Sequence, residues 1–406
     1  MTFGKKFGLI ILIIFASISF VFFRAMVRFG EFTTLTSRFD GKCESLANNV
    51  SGVEDIQEFK FITSEGEKKL IAFSAYDRNA AKKNPNLRGA LYISPIDNIQ
   101  AISDATNIID GDNIIQSPKD FVPIGIGVLN GPKPIIMAVN NASGNSSVEI
   151  YEIDENGLLN HINSVKIEGA HRLNDVVPLS ANSFYVTNES DYKSKSFVDF
   201  VQNLLNNDKT GSIFYYDGKR ATKIPANISF ANSIALSNDG SKLYLTGTIS
   251  RNLQIYSRNT SNNQLNLIDN VFLGTGVDNI SIDDENRIFI ASHPKLFTLA
   301  SRMWFGGKDT PNQVIVIEPN GDNKGGNVDQ VYIDKGENGF GASSIGIKNN
   351  DKLIMGSIYS KGIRLCQLPQ EWHQSKTHPA QQLIDVDRDA KIKKQRELEI
   401  KKNISH

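Results

Sequence analysis

The sequence carries no excess of charge of either sign and contains very little cysteine. Among its 406 residues, Lys and Arg together number 44, as do Asp and Glu, so the formal net charge is zero. Proteins that bind nucleic acids generally present a strongly basic surface, and the composition therefore gives no support for a nucleic-acid partner. An apolar share of 40% and a charged share of 22% are typical of a globular protein.

A long apolar run lies near the N-terminus, between pairs of basic residues. It extends from Phe7 to Phe23 without a charge. At about 1.5 Å per residue it measures roughly 25 Å, slightly less than the ~30 Å hydrocarbon core of a bilayer. The sequence that follows is Phe22-Phe23-Arg24-Ala25-Met26, which is a poor signal-peptidase site. We therefore predict an uncleaved signal-anchor within residues 1–30, with a cleaved signal peptide and a buried core helix as the alternatives.

One pattern recurs between about residue 60 and residue 366. A polar turn leads into a short apolar strand, a loop follows, and a second strand often ends in Tyr or Phe. The six first strands of these pairs begin at Lys68, Pro134, Ser183, Lys242, Arg287 and Lys352, about 45 to 65 residues apart. This spacing is typical of propeller blades. We predict an all-β, six-bladed β-propeller over residues 40–368 and a polar, charged C-terminal tail over residues 369–406. A large β-sandwich or two β domains is the alternative.

The two cysteines, Cys43 and Cys366, lie at opposite ends of the predicted propeller. The first and last strands of a propeller must meet to close the ring, so a disulfide between them would lock that closure. Two unrelated buried thiols remain the alternative. A disulfide would place the body of the protein outside the cytosol.

Four short patches place carboxylates or carboxamides within apolar segments, and a fifth, the turn at 121–127, offers backbone oxygens at a comparable place. The four are Glu54-Asp55, Asn174-Asp175, Asn232 and Asp278-Asn279. A single pair of this kind most simply caps a turn, but five at comparable places in successive blades would meet at the propeller axis. Buried carboxylates are costly unless they are paired or bind a metal. Calcium takes six to eight oxygen ligands of these types, whereas softer metals prefer Cys or His.

At these residues the sequence resembles the paraoxonase/arylesterase family, over about residues 40–368. The resemblance is carried by short strings in family order at 42–43, 51–55, 173–177, 230–232, 277–281, 292–294 and 366. It implies two calcium ions in the central tunnel. Glu54, Asn174, Asn232, Asp278 and Asn279 would hold the catalytic ion. Asp55, Asp175 and a backbone carbonyl near Ile126 would hold the structural one. The family also pairs the residues that match Cys43 and Cys366, and it keeps an uncleaved apolar N-terminus.

The sequence departs from the family at the histidine pair that activates the attacking water. Its first member is replaced by Ile124, within Pro-Ile-Gly, and its second by Asn141. A carboxylate of the calcium shell, Glu54 or Asp278, is the predicted replacement base. His293 and His171 are further candidates for that role.

The predicted function is calcium-dependent hydrolysis of aryl esters or lactones. A non-catalytic, membrane-tethered propeller that assists other membrane proteins is the alternative, and another six-bladed metal enzyme, such as a sugar lactonase or a strictosidine-synthase-like protein, is a third possibility. We expect the propeller to lie on the extracytosolic side of the membrane, which would also permit glycosylation. The sequons include those at Asn49, Asn145, Asn188, Asn227 and Asn259.

Overall fold

The computed structural model describes most of the region in which the propeller is predicted. The described residues are 3–39, 41–63, 66–96, 106–107, 120–142, 146–154, 159–192, 197–206, 208–307, 310–319, 326–336 and 339–369. The predicted C-terminal tail, residues 369–406, lies outside them except for residue 369. The sequon at Asn145 also lies outside them.

The described residues form six four-stranded antiparallel sheets, which confirms the six-bladed propeller. Blade one contains β2 Val53–Thr63, β3 Gly66–Ala75, β4 Ala90–Pro95 and β5 Thr106–Asn107. Blade two contains β6 Pro123–Leu129, β7 Ile135–Asn140, β8 Ser147–Ile153 and β9 Leu159–Lys166. Blade three contains β10 Leu173–Ser180, β11 Ser183–Asn188, β12 Gly211–Tyr216 and β13 Ala221–Ile228.

The remaining three blades complete the ring. Blade four contains β14 Ala231–Leu236, β15 Lys242–Gly247, β16 Asn252–Arg258 and β17 Leu265–Phe272. Blade five contains β18 Gly276–Ile282, β19 Ile288–His293, β20 Asn312–Glu318 and β21 Asn327–Asp334. Blade six contains β22 Ser343–Asn349, β23 Lys352–Ser357, β24 Lys361–Gln367 and the N-terminal strand β1 Cys43–Ser51.

The strand β1 closes the ring, because it is the outermost strand of the last blade. It pairs antiparallel with β24, in a register that places Cys43 opposite Cys366. The two residues form a disulfide with their Cα atoms 4.0 Å apart. The predicted pairing is therefore confirmed, and the interpretation as two unrelated thiols is wrong.

The six predicted apolar segments correspond to the second strand of each blade. In β7, every residue is buried, because a strand in the middle of a blade packs against both neighbouring blades. Such a strand appears in the sequence as a continuous apolar run. In β17, the outermost strand of blade four, no residue is fully buried. The sequence pattern therefore detects the middle strands far better than the outer ones.

Four helices accompany the strands in the described residues: α1 Phe3–Arg28, α2 Arg78–Ala81, α3 Phe197–Asn206 and α4 Leu296–Phe305. Side chains 5–24 of α1 are exposed, so the alternative of a buried core helix is wrong. By length and composition α1 can cross a membrane. Each of the other three helices follows the second strand of a blade, at the end of the propeller where the first strands begin.

Four of the five sequons named above fall within the described residues. The side chains of Asn49, Asn227 and Asn259 are exposed, and their glycosylation stays a prediction. Asn188 is 0% exposed, and its Nδ2 donates a hydrogen bond to the carbonyl oxygen of Ser190 at 3.0 Å. A glycan cannot be attached to this side chain in the folded protein.

Candidate functional site

The first strand of each blade has a register irregularity close to its start. It lies between Val53 and Asp55 in β2, for example, and between Val277 and Ile280 in β18. Equivalent shifts occur in β6, β10, β14 and β22. A bulge sets two residues against one on the partner strand and redirects their side chains. This is how two neighbouring polar residues such as Glu54 and Asp55 can both lie in the interior.

Four of the five residues predicted to hold the catalytic ion line one cavity of about 350 Å³. They are Glu54, Asn174, Asn232 and Asp278. The fifth, Asn279, is 1% exposed, and its Nδ2 donates to the backbone oxygen of Glu54 at 3.0 Å. The structure therefore brings the predicted set together, on strands from blades one, three, four and five.

The hydrogen bonds of the asparagines fix which way their amide groups face. Asn232 donates through Nδ2 to Oδ1 of Asp278 at 2.7 Å, and Asn174 donates through Nδ2 to Oε1 of Glu189 at 2.9 Å. Within the described part of the chain, Oδ1 of Asn232 and Oδ1 of Asn279 are buried and accept no hydrogen bond. Buried carbonyl oxygens without a donor are rare, and a hard cation would satisfy both of these.

The carboxylates of this cavity are paired with basic side chains. Glu54 forms an ion pair with Arg78. Burial raises the pKa of the Glu54 carboxyl above its ordinary value, although Arg78 opposes the rise. Oδ2 of Asp278 lies 2.7 Å from Nε2 of His293. The described residues contain no group of three or more His, Cys, Asp or Glu side chains that could hold a metal, so an ion here would depend on the asparagine oxygens as well.

Asp55 and Asp175, predicted to hold the structural ion, lie on either side of β6. Asp55 accepts a hydrogen bond from the backbone N–H of Ile126 at 2.8 Å. Asp175 accepts from the hydroxyl of Ser233 at 2.5 Å and from the N–H of Ile234 at 2.9 Å. Each carboxylate therefore links its own blade to the next one along the chain.

These two carboxylates lack a positive partner among the described residues. Asp55 is 0% exposed and Asp175 is 2% exposed. Burial, and then the negative charge of Asp175, raise the pKa of Asp55 well above its ordinary value. Burial raises the pKa of Asp175 to about 7. Two buried carboxylates without a positive partner require a proton or a bound cation. Asp55 and Asp175 therefore fit the second predicted ion.

The two positions that lack the family histidines both line the cavity. Ile124 and Asn141 lie there together with His293, whereas His171 is not among the residues that line it. Nδ1 of His293 is buried and has no hydrogen-bond partner in the described residues. Of the predicted replacement bases, the structure therefore places His293, Glu54 and Asp278 in the cavity and leaves His171 outside it.

The second strands make a regular contribution to the cavity, of which the sequence indicated only Asn141 and His293. Each blade supplies at least one cavity residue at the end of its second strand or within three positions after it. The first such residue in each blade, in blade order, is Arg78, Asn141, Glu189, Thr248, His293 and Ile358. The signal that could have found them is positional, because second strands end on the face where the polar patches begin.

A sequence model described as Arylesterase matches residues 81–368 of the chain. The match covers well over half of the 406 residues. The chain belongs to the arylesterase family. The resemblance noted from the sequence is thereby confirmed, although the match begins at residue 81, where the resemblance was extended to about residue 40.

Relatives in the arylesterase family are distant. Serum paraoxonase/arylesterase 2 of Rattus norvegicus is 27% identical over 241 residues, which are 57% of this chain and 64% of that protein. Serum paraoxonase/lactonase 3 of the same species is 27% identical over 237 residues, with the same coverage of 57% and 64%. The alignments thus span less than two thirds of these relatives. A solved gluconolactonase from Xanthomonas campestris covers 82% of this chain and 91% of its own at 12% identity, with a TM-score of 0.47.

Proposed function

We propose that the protein is a calcium-dependent hydrolase of carboxylic esters that acts on aryl esters or lactones. The observation that carries this proposal is the pair of buried asparagine oxygens without donors, Oδ1 of Asn232 and of Asn279, beside the carboxylates of one cavity. Relatives named as arylesterases and as a lactonase supply the substrate class.

The ligands proposed for the catalytic ion are Glu54, Asn174, Asn232, Asp278 and Asn279. When bound, calcium polarises an ester carbonyl and stabilises the oxyanion that develops on it. The chain itself holds these side chains in place through hydrogen bonds that the asparagine amide groups donate to Asp278, to Glu189 and to the backbone oxygen of Glu54. Asp55 and Asp175 are the side chains proposed for the structural ion.

The contacts favour His293 as the group that accepts the proton from water. The Glu54 carboxylate is occupied by Arg78, and Asp278 accepts from Asn232 through Oδ1 and contacts His293 through Oδ2. An imidazole that is oriented by a carboxylate at one nitrogen offers the other as a base, and Nδ1 of His293 has no partner among the described residues. We therefore assign the role of base to His293 and the role of orienting it to Asp278. The sequence had instead favoured a carboxylate over a histidine as the base.

The proposed location is a membrane, with α1 as the anchor and the propeller on the extracytosolic side. The disulfide between Cys43 and Cys366 supports this location, because disulfides persist in oxidising compartments. The exposed apolar side chains of α1 support the anchor.

The test compares two asparagines that differ only in position. Asn232→Ala removes a cavity ligand. Asn252→Ala removes a side chain that is also buried, whose Oδ1 also lacks a donor among the described residues, but which does not line the cavity. We expect Asn232→Ala to weaken calcium binding, measured by titration calorimetry, at least about tenfold, and Asn252→Ala to leave it unchanged.

Hydrolysis of phenyl acetate and of an aryl lactone is then measured with calcium and with a chelator. We expect turnover with calcium only, and a fall of about 10²–10⁴ in kcat for His293→Gln with calcium binding retained. Equal calcium affinity in the two asparagine variants would refute the ligand set. Calcium binding without turnover of any ester or lactone would favour the non-catalytic alternative.

A further inference from the structure

The helix α4 forms the apolar wall of the cavity. Leu296, Leu299, Met303 and Trp304 all line it. Lys295, which precedes the helix, makes no side-chain capping bond, and the first turn contains no acidic residue. The N–H groups of that turn need an acceptor. The position of the apolar wall depends on contacts that fix the start of α4.

The acceptor comes from the segment that follows α1. Oε1 of Glu31 accepts hydrogen bonds from the N–H of Phe297 at 2.7 Å and from the N–H of Thr298 at 3.1 Å. Oε2 of Glu31 accepts from the hydroxyl of Thr298 at 2.7 Å. A carboxylate at this end of a helix also lies at the positive end of its dipole. Glu31 therefore caps α4 from more than 260 residues away in the sequence.

The chain on either side of Glu31 packs closely against the start of α4. The rings of Phe22 and Phe29 contact Phe297, with centroids 5.3 Å and 6.0 Å away. At Gly30, where φ is +78°, an added Cβ would lie 2.2 Å from the carbonyl oxygen of Pro294. Only glycine permits this approach. The anchor segment thus contacts the residue that follows His293 as well as the wall helix.

We propose that Glu31 is a positioning residue that fixes α4, and that the end of the membrane anchor is thereby a structural part of the substrate site. The proposal rests on the proposed function in taking the cavity as the place where substrate binds and α1 as the membrane anchor. In this proposal the wall contacts the apolar part of a substrate, whereas Asp278 and His293 take part in the proton transfer. Loosening α4 therefore weakens substrate binding and raises KM far more than it lowers kcat.

The test uses the full-length chain in detergent micelles, with Trp304 as the reporter. The sequence contains two tryptophans, so Trp372→Phe leaves Trp304 alone. In that background Glu31→Gln is compared with Glu44→Gln, which makes the same charge change at an exposed site on β1. We expect Glu31→Gln to shift Trp304 emission to longer wavelength, to increase acrylamide quenching, and to raise KM for phenyl acetate roughly three- to tenfold.

Thr298→Val is the second variant, because it removes one of the three bonds to Glu31 without changing any charge. We expect a smaller change of the same sign, and no further change when Thr298→Val is added to Glu31→Gln. Emission and quenching equal to those of the Glu44→Gln control would overturn the proposal. The fluorescence does not depend on turnover, so a clear Trp304 response in a protein that hydrolyses nothing would overturn the proposed function and leave the positioning role standing.

Discussion

The disulfide between Cys43 and Cys366 should contribute more to stability than most disulfides do. It joins residues 323 positions apart, and the chain-entropy treatment of a loop of this length gives about 6 kcal/mol at 25 °C. Measured losses on removal of native disulfides are about 2–5 kcal/mol. Whole domains are stable by only about 5–15 kcal/mol, so either value is a large share of the total.

The two cysteines allow the crosslink to be separated from side-chain packing. Cys43 is exposed, so Cys43→Ala removes the bond and almost no packing. Cys366 is 0% exposed, so Cys366→Ala also leaves a small void. We expect Cys43→Ala to lower the urea midpoint by about 1 M, and Cys366→Ala to lower it slightly more. The double variant should match Cys366→Ala, because each single change already breaks the one bond.

Urea unfolding followed by circular dichroism measures these differences, with and without a reducing agent. Reduction should bring the wild-type protein to the midpoint of Cys43→Ala and should leave that variant unchanged. If the two single effects add in the double variant, the cysteines act separately and the reasoning fails. It also fails if Cys43→Ala unfolds at the wild-type midpoint, because β1 would then be held by its pairing with β24 alone.

Two further predictions concern buried carboxylates. Gly125→Ala places a Cβ 2.5 Å from Oδ1 of Asp175. We expect this substitution to lower the free energy of unfolding by about 1–3 kcal/mol, measured by thermal unfolding. An unchanged melting temperature would show that the close approach does not require glycine. Burial raises the pKa of Glu149, but hydrogen bonds from His161 and two serines outweigh it and hold the pKa below its ordinary value. Glu149→Gln should therefore lower the free energy of unfolding by roughly 1.5–3 kcal/mol at pH 7. The difference in stability from wild type should narrow as the pH falls below about 4.5. A gap that is independent of pH would contradict this.

The repeat of the fold is predictable from the sequence because the middle strands are buried on both faces. Segments such as the one beginning at Pro134 are continuous apolar runs, and their spacing identifies blades. The polar patches are predictable for the same reason, since Asn174-Asp175 is conspicuous in an apolar strand. Outer strands such as β17 are half exposed, and their composition resembles that of loops.

The wall of the site is much harder to predict than its ligands. Nothing near Glu31 in the sequence indicates that it caps a helix that begins at Leu296. Arg78 has no local pattern that marks it as the partner of Glu54. The first contact depends on how the fold brings segments more than 260 residues apart together, and the second on the pairing of β2 with β3 within blade one. Short-range patterns in the sequence carry no information about either.

The residues at the ends of the six second strands give each blade a position of its own in the lining of the cavity. Each position belongs to a different blade and leads into its own connection, so a replacement at one leaves the other five strands unchanged. Asn141 is the position in blade two, and His293 is the position in blade five. Under the assignment of the base proposed above, blade five supplies the proton acceptor and blade two does not. A replacement at the end of one second strand can thus change the lining of the cavity without a new fold.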